Sequence, residues 1–265
     1  MTHPSTAPQT IGTQSDQDNT PKLPRINPPL AQAIGLTKTY GKGGAAVHAL
    51  RGVNLGFSQG QFTAIMGPSG SGKSTLMHCL AGLEAPTSGS IEVAGQSVST
   101  MSARQRSEFR RLAIGLVFPS DNLLPALTVS ENIRLPLAIA RQSEDRQWFD
   151  QIIDAFELNG VLSRRPGALS AGQQQRVACA RAMILQPAVV LADEPTGSLD
   201  WEAGEHLLAM LRACVATFGQ TMVLATHDAQ VAGHADQVYL LRDGQVVDQT
   251  SGSAVERLLG GGSLS

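Results

Sequence analysis

The sequence is short of cysteine, of charge of one sign and of long apolar runs, and each shortage removes a class of protein. Its three cysteines, Cys79, Cys179 and Cys214, lie far apart with no CxxC pair. That spacing argues against a disulfide framework or a thiolate metal site and predicts buried, reduced thiols in a cytosolic compartment. Formal net charge is −2 over 265 residues, without the basic excess that would suggest a nucleic-acid partner. No stretch approaches the ~20 apolar residues of a membrane span. The longest charge-free apolar run, Ala182 to Ala192, is interrupted by Gln186 and Pro187, so no direct membrane insertion is expected. The first residues lack a basic head followed by an apolar core, which argues against a signal or transit sequence. Residues 1–30, rich in Pro, Thr, Gln and Asn, read as a disordered leader. No internal repeat is visible.

What is present is an ordinary globular composition, 42% apolar, organised around one stretch. Gly67, Pro68, Ser69, Gly70, Ser71, Gly72, Lys73, Ser74 and Thr75 read GPSGSGKST, matching the phosphate-binding pattern G-x-x-x-x-G-K-[ST]. Glycines let successive backbone N–H groups turn toward a phosphate, and a helix starting near Lys73 would aim its positive end at the same anion. Lys73 supplies a charge for the β- and γ-phosphates, and Ser74 a hydroxyl for Mg²⁺. The flanks agree with the motif: Gln61 to Met66 reads as a short strand and Ser74 to Leu80 as an apolar-striped helix. A nucleotide with Mg²⁺ is therefore the expected ligand.

Along the chain, Ile34 to Tyr40 and Val53 to Phe57 alternate as half-buried strands, with a turn signal at Gly41 to Gly44 that suggests an antiparallel pair. Ser88 to Gly95 is a further strand. Ser102 and Gln105 have capping-box spacing before a polar helix, as do Thr128 and Glu131. The apolar strand Ile114 to Phe118 stops at Pro119, which cannot donate to a ladder. From there to about residue 187 the pattern is helical, with helices read at Glu144 to Leu158 and Gln173 to Leu185. This block interrupts a strand–helix alternation that resumes at Ala188 to Ala192, Trp201 to Phe218 and Met222 to Ala225. A hairpin about Asp243-Gly244 follows, and residues 251–265 read as a short helix and a flexible tail. The expected class is α/β: a phosphate-loop NTPase core with a mainly parallel sheet, an N-terminal antiparallel β subdomain and an inserted helical subdomain at about 119–187, all within residues 31–250.

Asp193-Glu194 follows a buried strand directly, so both carboxylates should emerge at the sheet edge where ligands bind in open α/β folds. One can hold Mg²⁺ through water while the other polarises an attacking water, a division suited to phosphoanhydride hydrolysis. Taken alone, acidic residues at a strand end are as well explained by solvation.

The segment Leu169-Ser170-Ala171-Gly172-Gln173-Gln174-Gln175-Arg176 resembles the signature motif of ATP-binding cassette proteins, usually Leu-Ser-Gly-Gly-Gln. Thr226-His227-Asp228 looks like that family's switch histidine, Ser198-Leu199-Asp200 like its D-loop, and Tyr40 like the aromatic residue that stacks on adenine. Within the family, stretches such as GPSGSGKSTLMHCLAGLEAPTSG, NLLPALTVSENI and LADEPTGSLD look most like ATPases of lipoprotein-release, macrolide-export and cell-division complexes. The resemblance implies a transport ATPase with Glu194 and His227 catalytic, Asp193 and Ser74 on the metal, and Ser170, Gly172 and Gln173 completing the nucleotide site of a second ATPase subunit, in a dimer expected to be of identical chains. It also implies an integral-membrane permease as partner, with the ATPase held peripherally at the cytoplasmic face of the membrane. Other readings of single residues remain open: His227 as a surface histidine, Tyr40 as the cover of a turn, and Ser170 with Gln173 as a helix cap. The Leu-rich stretch Leu123 to Ile133 reads either as part of the groove for the permease's coupling helix or as core packing.

Two residues depart from the family pattern. Ala171 replaces the first glycine of the signature pair, and Pro119 stands where the family has the Q-loop glutamine that reaches Mg²⁺ and water. Proline has no such group, so an alternative reading is a slow, ATP-gated regulatory subunit of a membrane or cell-wall complex. Ser120 or Asp121 is the expected substitute for the missing side chain.

Overall fold

Three strands in which every residue is buried form the centre of the molecule: β3 (Phe62–Met66), β7 (Val189–Asp193) and β8 (Thr221–Thr226). Such continuous apolar runs suit parallel strands covered on both faces. The computed structural model describes residues 29–119 and 122–255. The expected leader, apart from Pro29 and Leu30, the tail beyond Val255, and Ser120 and Asp121 lie outside them.

The three strands belong to a six-stranded sheet, completed by β6 (Ile114–Val117), β9 (Gln237–Arg242) and β10 (Gln245–Thr250), in the order β10-β9-β3-β8-β7-β6. All pairs are parallel except the β9–β10 hairpin. A second, antiparallel sheet has the order β2-β1-β4-β5, built from β1 (Ala31–Tyr40), β2 (Val47–Phe57), β4 (Ser88–Val93) and β5 (Gln96–Ser97). β2 starts six residues before the expected Val53; Gly52, at φ 78°, falls at one of three irregularities in its pairing with β1.

Helices α1 (Lys73–Leu80) and α2 (Ala103–Ala113) precede β6, and the inserted block carries α3 (Val129–Ala140), α4 (Arg146–Ala155) and α5 (Ala171–Met183). Further along come α6 (Trp201–Phe218) and α7 (Ala229–Gly233), the latter not foreseen from sequence. α5 begins at Ala171 rather than Gln173, since Ser170 is its cap. The expected class is thus the one the chain adopts.

Strand alternation divides the interior. On β7, Val190 and Ala192 face a core shared with the inserted helices and α6, while Val189 and Leu191 face one shared with the antiparallel sheet and α1. Met222 and Leu224 of β8 join the first, Val223 and Ala225 the second. The sheet is therefore common to both cores. Register then sets the site: Met66 pairs with Thr226, and Asp193 with Ala225. Gly67, Glu194 and His227 consequently leave three adjacent strands on one edge.

Candidate active site

The phosphate loop leaves β3 tightly confined. A Cβ on Gly67 would lie 2.1 Å from the Leu241 carbonyl oxygen of β9, so only glycine lets the loop pass beneath that strand. Gly72, at φ 105°, opens α1 without a side-chain cap, which leaves the first-turn N–H groups free for an anion. Lys73 is 7% exposed, and its Nζ donates to the carbonyls of Gly67 at 2.8 Å and Pro68 at 3.1 Å. Two neutral acceptors leave its charge uncompensated. Within the loop the Ser71 hydroxyl is buried and has no hydrogen-bond partner. A buried polar group of that kind is normally satisfied by a ligand or an ordered water.

Asp193 ends β7 buried, its Oδ1 likewise without a partner. Burial pushes its carboxyl above the usual carboxylate range; the Ser74 side chain, a hydrogen-bonding neighbour, acts the other way, Glu194 adds to the rise, and His78 and Lys73 oppose it. A divalent cation would relieve this position, and two oxygen donors, carboxylate and hydroxyl, are the chemistry Mg²⁺ prefers. Glu194 takes a left-handed backbone, φ 46°, unusual for a residue with a side chain. Its N–H donates to Ala225 O at 2.9 Å, and its own carbonyl accepts from Gly197 at 3.0 Å, which fixes the turn. Glu194 Oε1 lies 2.8 Å from His227 Nδ1. Against an ionised carboxylate, which can only accept, Nδ1 would be the donor. The His227 side chain is 66% exposed and that of Glu194 22%: a solvent-facing imidazole steadies a half-buried carboxylate.

Lys73, Ser74, Glu194 and His227 share an open cavity of about 920 Å³, lined also by Pro68 to Gly70, Gly72 and Thr75, whereas Gly67, Ser71 and Asp193 do not line it. Its remaining walls were not foreseen. Val47, His48, Ala49 and Arg51 come from the early half of β2, and Asp243 and Gly244 from the β9–β10 turn. Gly244 bridges both, donating to Ser71 O at 2.9 Å and accepting from Arg51 N at 2.8 Å. The Asp-Gly dipeptide announces a hairpin, yet nothing local to it says that the hairpin tip reaches the phosphate loop. Tyr40 stands at the rim rather than on the wall: it pairs with Val47 across the β1–β2 ladder, and Thr75 is a hydrogen-bonding neighbour of its hydroxyl.

The signature residues stand apart from this cavity. Ser170 caps α5, its hydroxyl accepting from Gln173 N at 3.2 Å while Gln173 Oε1 accepts from Ser170 N at 3.0 Å. The cap reading of these two residues therefore holds, and Ser170 and Ala171 are exposed. Gly172 faces α6, where an added Cβ would meet that of Ala203 at 3.3 Å. Buried Gln175 on the same helix donates to Phe118 O at 3.3 Å, tying α5 to the end of β6 beside Pro119. Asp200 caps α6 through Ala203 N at 2.8 Å.

Comparison with known proteins is consistent with this geometry. Residues 50–197 match the family model described as ABC transporter. The macrolide export ATP-binding/permease protein MacB of Brucella melitensis is 41% identical over 84% of this chain, which spans 35% of that relative's length. A Thermotoga maritima ABC transporter ATP-binding protein is also 41% identical, over 81% of this chain and 92% of its own length. Among solved structures, a dimeric ATP-binding cassette in a post-hydrolysis state bound to ADP and Pi superposes with a TM-score of 0.75 at 36% identity, covering 83% of this chain and 98% of that one.

Proposed function

The chain belongs to the ABC transporter family, and from that premise we propose that it binds and hydrolyses ATP to drive a membrane permease of the lipoprotein-release or macrolide-export type. The observation that carries the proposal is the Glu194–His227 pair, 2.8 Å apart and facing the same cavity as Lys73. Water attacking the terminal phosphorus must lose a proton, and Glu194 is placed to take it. His227, donating through Nδ1, keeps the receiving carboxylate turned toward the cavity. Lys73 and the N–H groups opening α1 hold the β- and γ-phosphates, and Tyr40 at the rim receives the base. Ser74 and Asp193 would hold Mg²⁺, which when bound supplies positive charge to the phosphate oxygens.

Exposed Ser170 and half-buried Gly172 and Gln173 do not line the cavity of their own chain. They serve a second copy, closing over its phosphate-bound nucleotide, an arrangement supported by the dimeric state of the related cassette. No helix among the described residues is long and apolar enough to cross a membrane. Within the stretch expected to meet the permease, Leu123, Val129 and Ile133 are buried while Leu124 is 45% exposed, leaving an apolar contact on the surface of the inserted helices.

Replacing Glu194 by Gln removes the proton acceptor and keeps the binding groups. Turnover should fall on the order of 10²–10⁴-fold, and the variant should accumulate as an ATP-bound dimer in size measurements. A monomer in saturating ATP and Mg²⁺ would overturn the shared site, and undiminished turnover would overturn the role of Glu194.

Pro119 favours a second reading, a slow ATPase that gates a membrane or cell-wall partner. It is exposed directly after β6 and offers no polar side chain to the nucleotide.

A further inference from the structure

One carboxylate outside the catalytic pair gathers groups from both halves of the nucleotide site. Glu84 follows α1, and its Oε2 accepts from the Tyr40 hydroxyl at 2.5 Å and lies 3.2 Å from Lys38 Nζ. Its Oε1 is 3.5 Å from His78 Nδ1 on α1. Lys38 lies over the Tyr40 ring, 4.9 Å from its centroid, and donates to Ala85 O at 2.8 Å. Phenol, ammonium and imidazole thus converge on one acceptor that joins β1 to the helix whose start is the phosphate loop.

The cluster restricts what the ring can do. Tyr40 is 38% exposed, and a surface tyrosine held by packing alone samples several rotamers. Ordering it on ligand binding costs affinity. A short hydrogen bond to a charged acceptor fixes the hydroxyl end of the ring beforehand. Lys38 covers one face in a cation–π arrangement, and the 38% of Tyr40 that stays exposed is the surface a planar partner can meet. Although burial works against its ionisation, hydrogen bonds from Tyr40 and Lys38 hold the Glu84 carboxyl below its ordinary range, so the acceptor is charged at neutral pH.

We propose that Glu84 is a positioning residue for the nucleotide base: through the Tyr40 hydroxyl it holds the ring with its exposed surface ready for a purine and couples that ring to the phosphate-loop helix. The inference rests on the reading of Tyr40 as the base platform. A merely structural Glu84 would affect every ligand alike, so the test compares a ligand that has a base with one that has none.

Affinities for ATP and for inorganic tripolyphosphate, both with Mg²⁺, are measured on the wild type, Tyr40→Ala, Tyr40→Phe, Glu84→Gln and the Tyr40→Ala/Glu84→Gln double variant. Loss of the ring should weaken ATP about 5- to 100-fold, the range for one base stacked on one aromatic side chain. Glu84→Gln and Tyr40→Phe should each weaken ATP about 3- to 10-fold and leave tripolyphosphate unchanged. Glu84→Gln should cost nothing further once the ring is gone. If Tyr40→Ala binds ATP as the wild type does, the base-platform reading fails and the inference with it. Should Tyr40→Ala weaken ATP and Glu84→Gln leave it unaltered, the platform stands and the role of Glu84 is overturned. Equal loss for ATP and tripolyphosphate in Glu84→Gln also overturns it, in favour of a general support for α1.

Discussion

Pro119 is the residue whose consequence can be isolated most cleanly. The phosphate contacts proposed for Gly67 to Thr75 lie at the end of β3, whereas Pro119 follows β6 on the far side of β8 and β7. ATP affinity should therefore be nearly independent of position 119, while hydrolysis should not, because an oriented polar group near the attacking water typically contributes ~10–10³-fold. Pro119→Gln is expected to raise kcat with little change in nucleotide affinity, as read by steady-state kinetics and nucleotide titration. An unchanged or lower kcat would show that another group already does the work. The residues of the site were unequally legible for a physical reason. A phosphate loop is nine consecutive residues whose backbone does the binding, so its pattern is contained in the chain itself. Asp193 and Glu194 gained meaning from the apolar strand before them. Val47, His48, Arg51 and Asp243 line the same cavity but arrive by tertiary approach, and no spacing connects them to Lys73. The Glu84 cluster was hidden likewise, because Lys38, Tyr40 and His78 meet it only when β1 lies against α1.

At the scale of elements, local chemistry was the better guide. Three helices start in reciprocal capping boxes, Ser102 with Gln105, Thr128 with Glu131 and Ser170 with Gln173, and every one is visible as a three-residue interval. The box on α3 carries a titratable member. Backbone and hydroxyl hydrogen bonds from Thr128 hold the Glu131 carboxyl below its usual range. A depressed folded-state pKa means that the stabilisation is present above the unfolded value, about 4.3, and disappears as pH falls through the lower folded value. The stability difference between wild type and Glu131→Gln, which keeps an acceptor but cannot ionise, should therefore shrink as pH is lowered from about 7 to about 3 in urea titrations. A difference constant across that range would contradict the assignment. Thr128→Ala should cost about 1 kcal/mol at neutral pH, the usual value of a lost N-cap. Pairing was less legible than capping: β9 and β10 were foreseen as a hairpin, whereas the parallel pairing of β9 with β3 depends on a segment far away in sequence.

The described residues pack two large cores and a smaller cluster about Met66, Val238 and Val255 against one sheet, and the buried thiols report on the two large ones. Cys79 lies in the core shared with the antiparallel sheet, Cys179 and Cys214 in the core shared with the inserted helices. Burial pushes the Cys79 thiol up to about 11 and that of Cys214 to about 12, and raises Cys179 as well, so all three should resist thiol reagents in the native state at pH 8. Because β7 and β8 contribute alternate residues to both cores, neither can open while the other keeps its wall. Pulse labelling along a urea gradient, with peptide mapping by mass spectrometry, should show the three cysteines becoming reactive at one common midpoint. Separate midpoints for Cys79 and Cys214 would mean that the two sides unfold independently. The position of β3 has a consequence for how the protein is made. Its neighbours on both sides, β8 and β9, are encoded near the other end of the chain, so a ribosome that has just delivered the phosphate loop has delivered none of the strands that hold it. At ~5–20 residues per second, roughly ten to thirty seconds of translation pass before Leu241 emerges to roof Gly67. During that interval ATP has no completed pocket to enter, and the nascent chain must stay unaggregated without help from its own ligand.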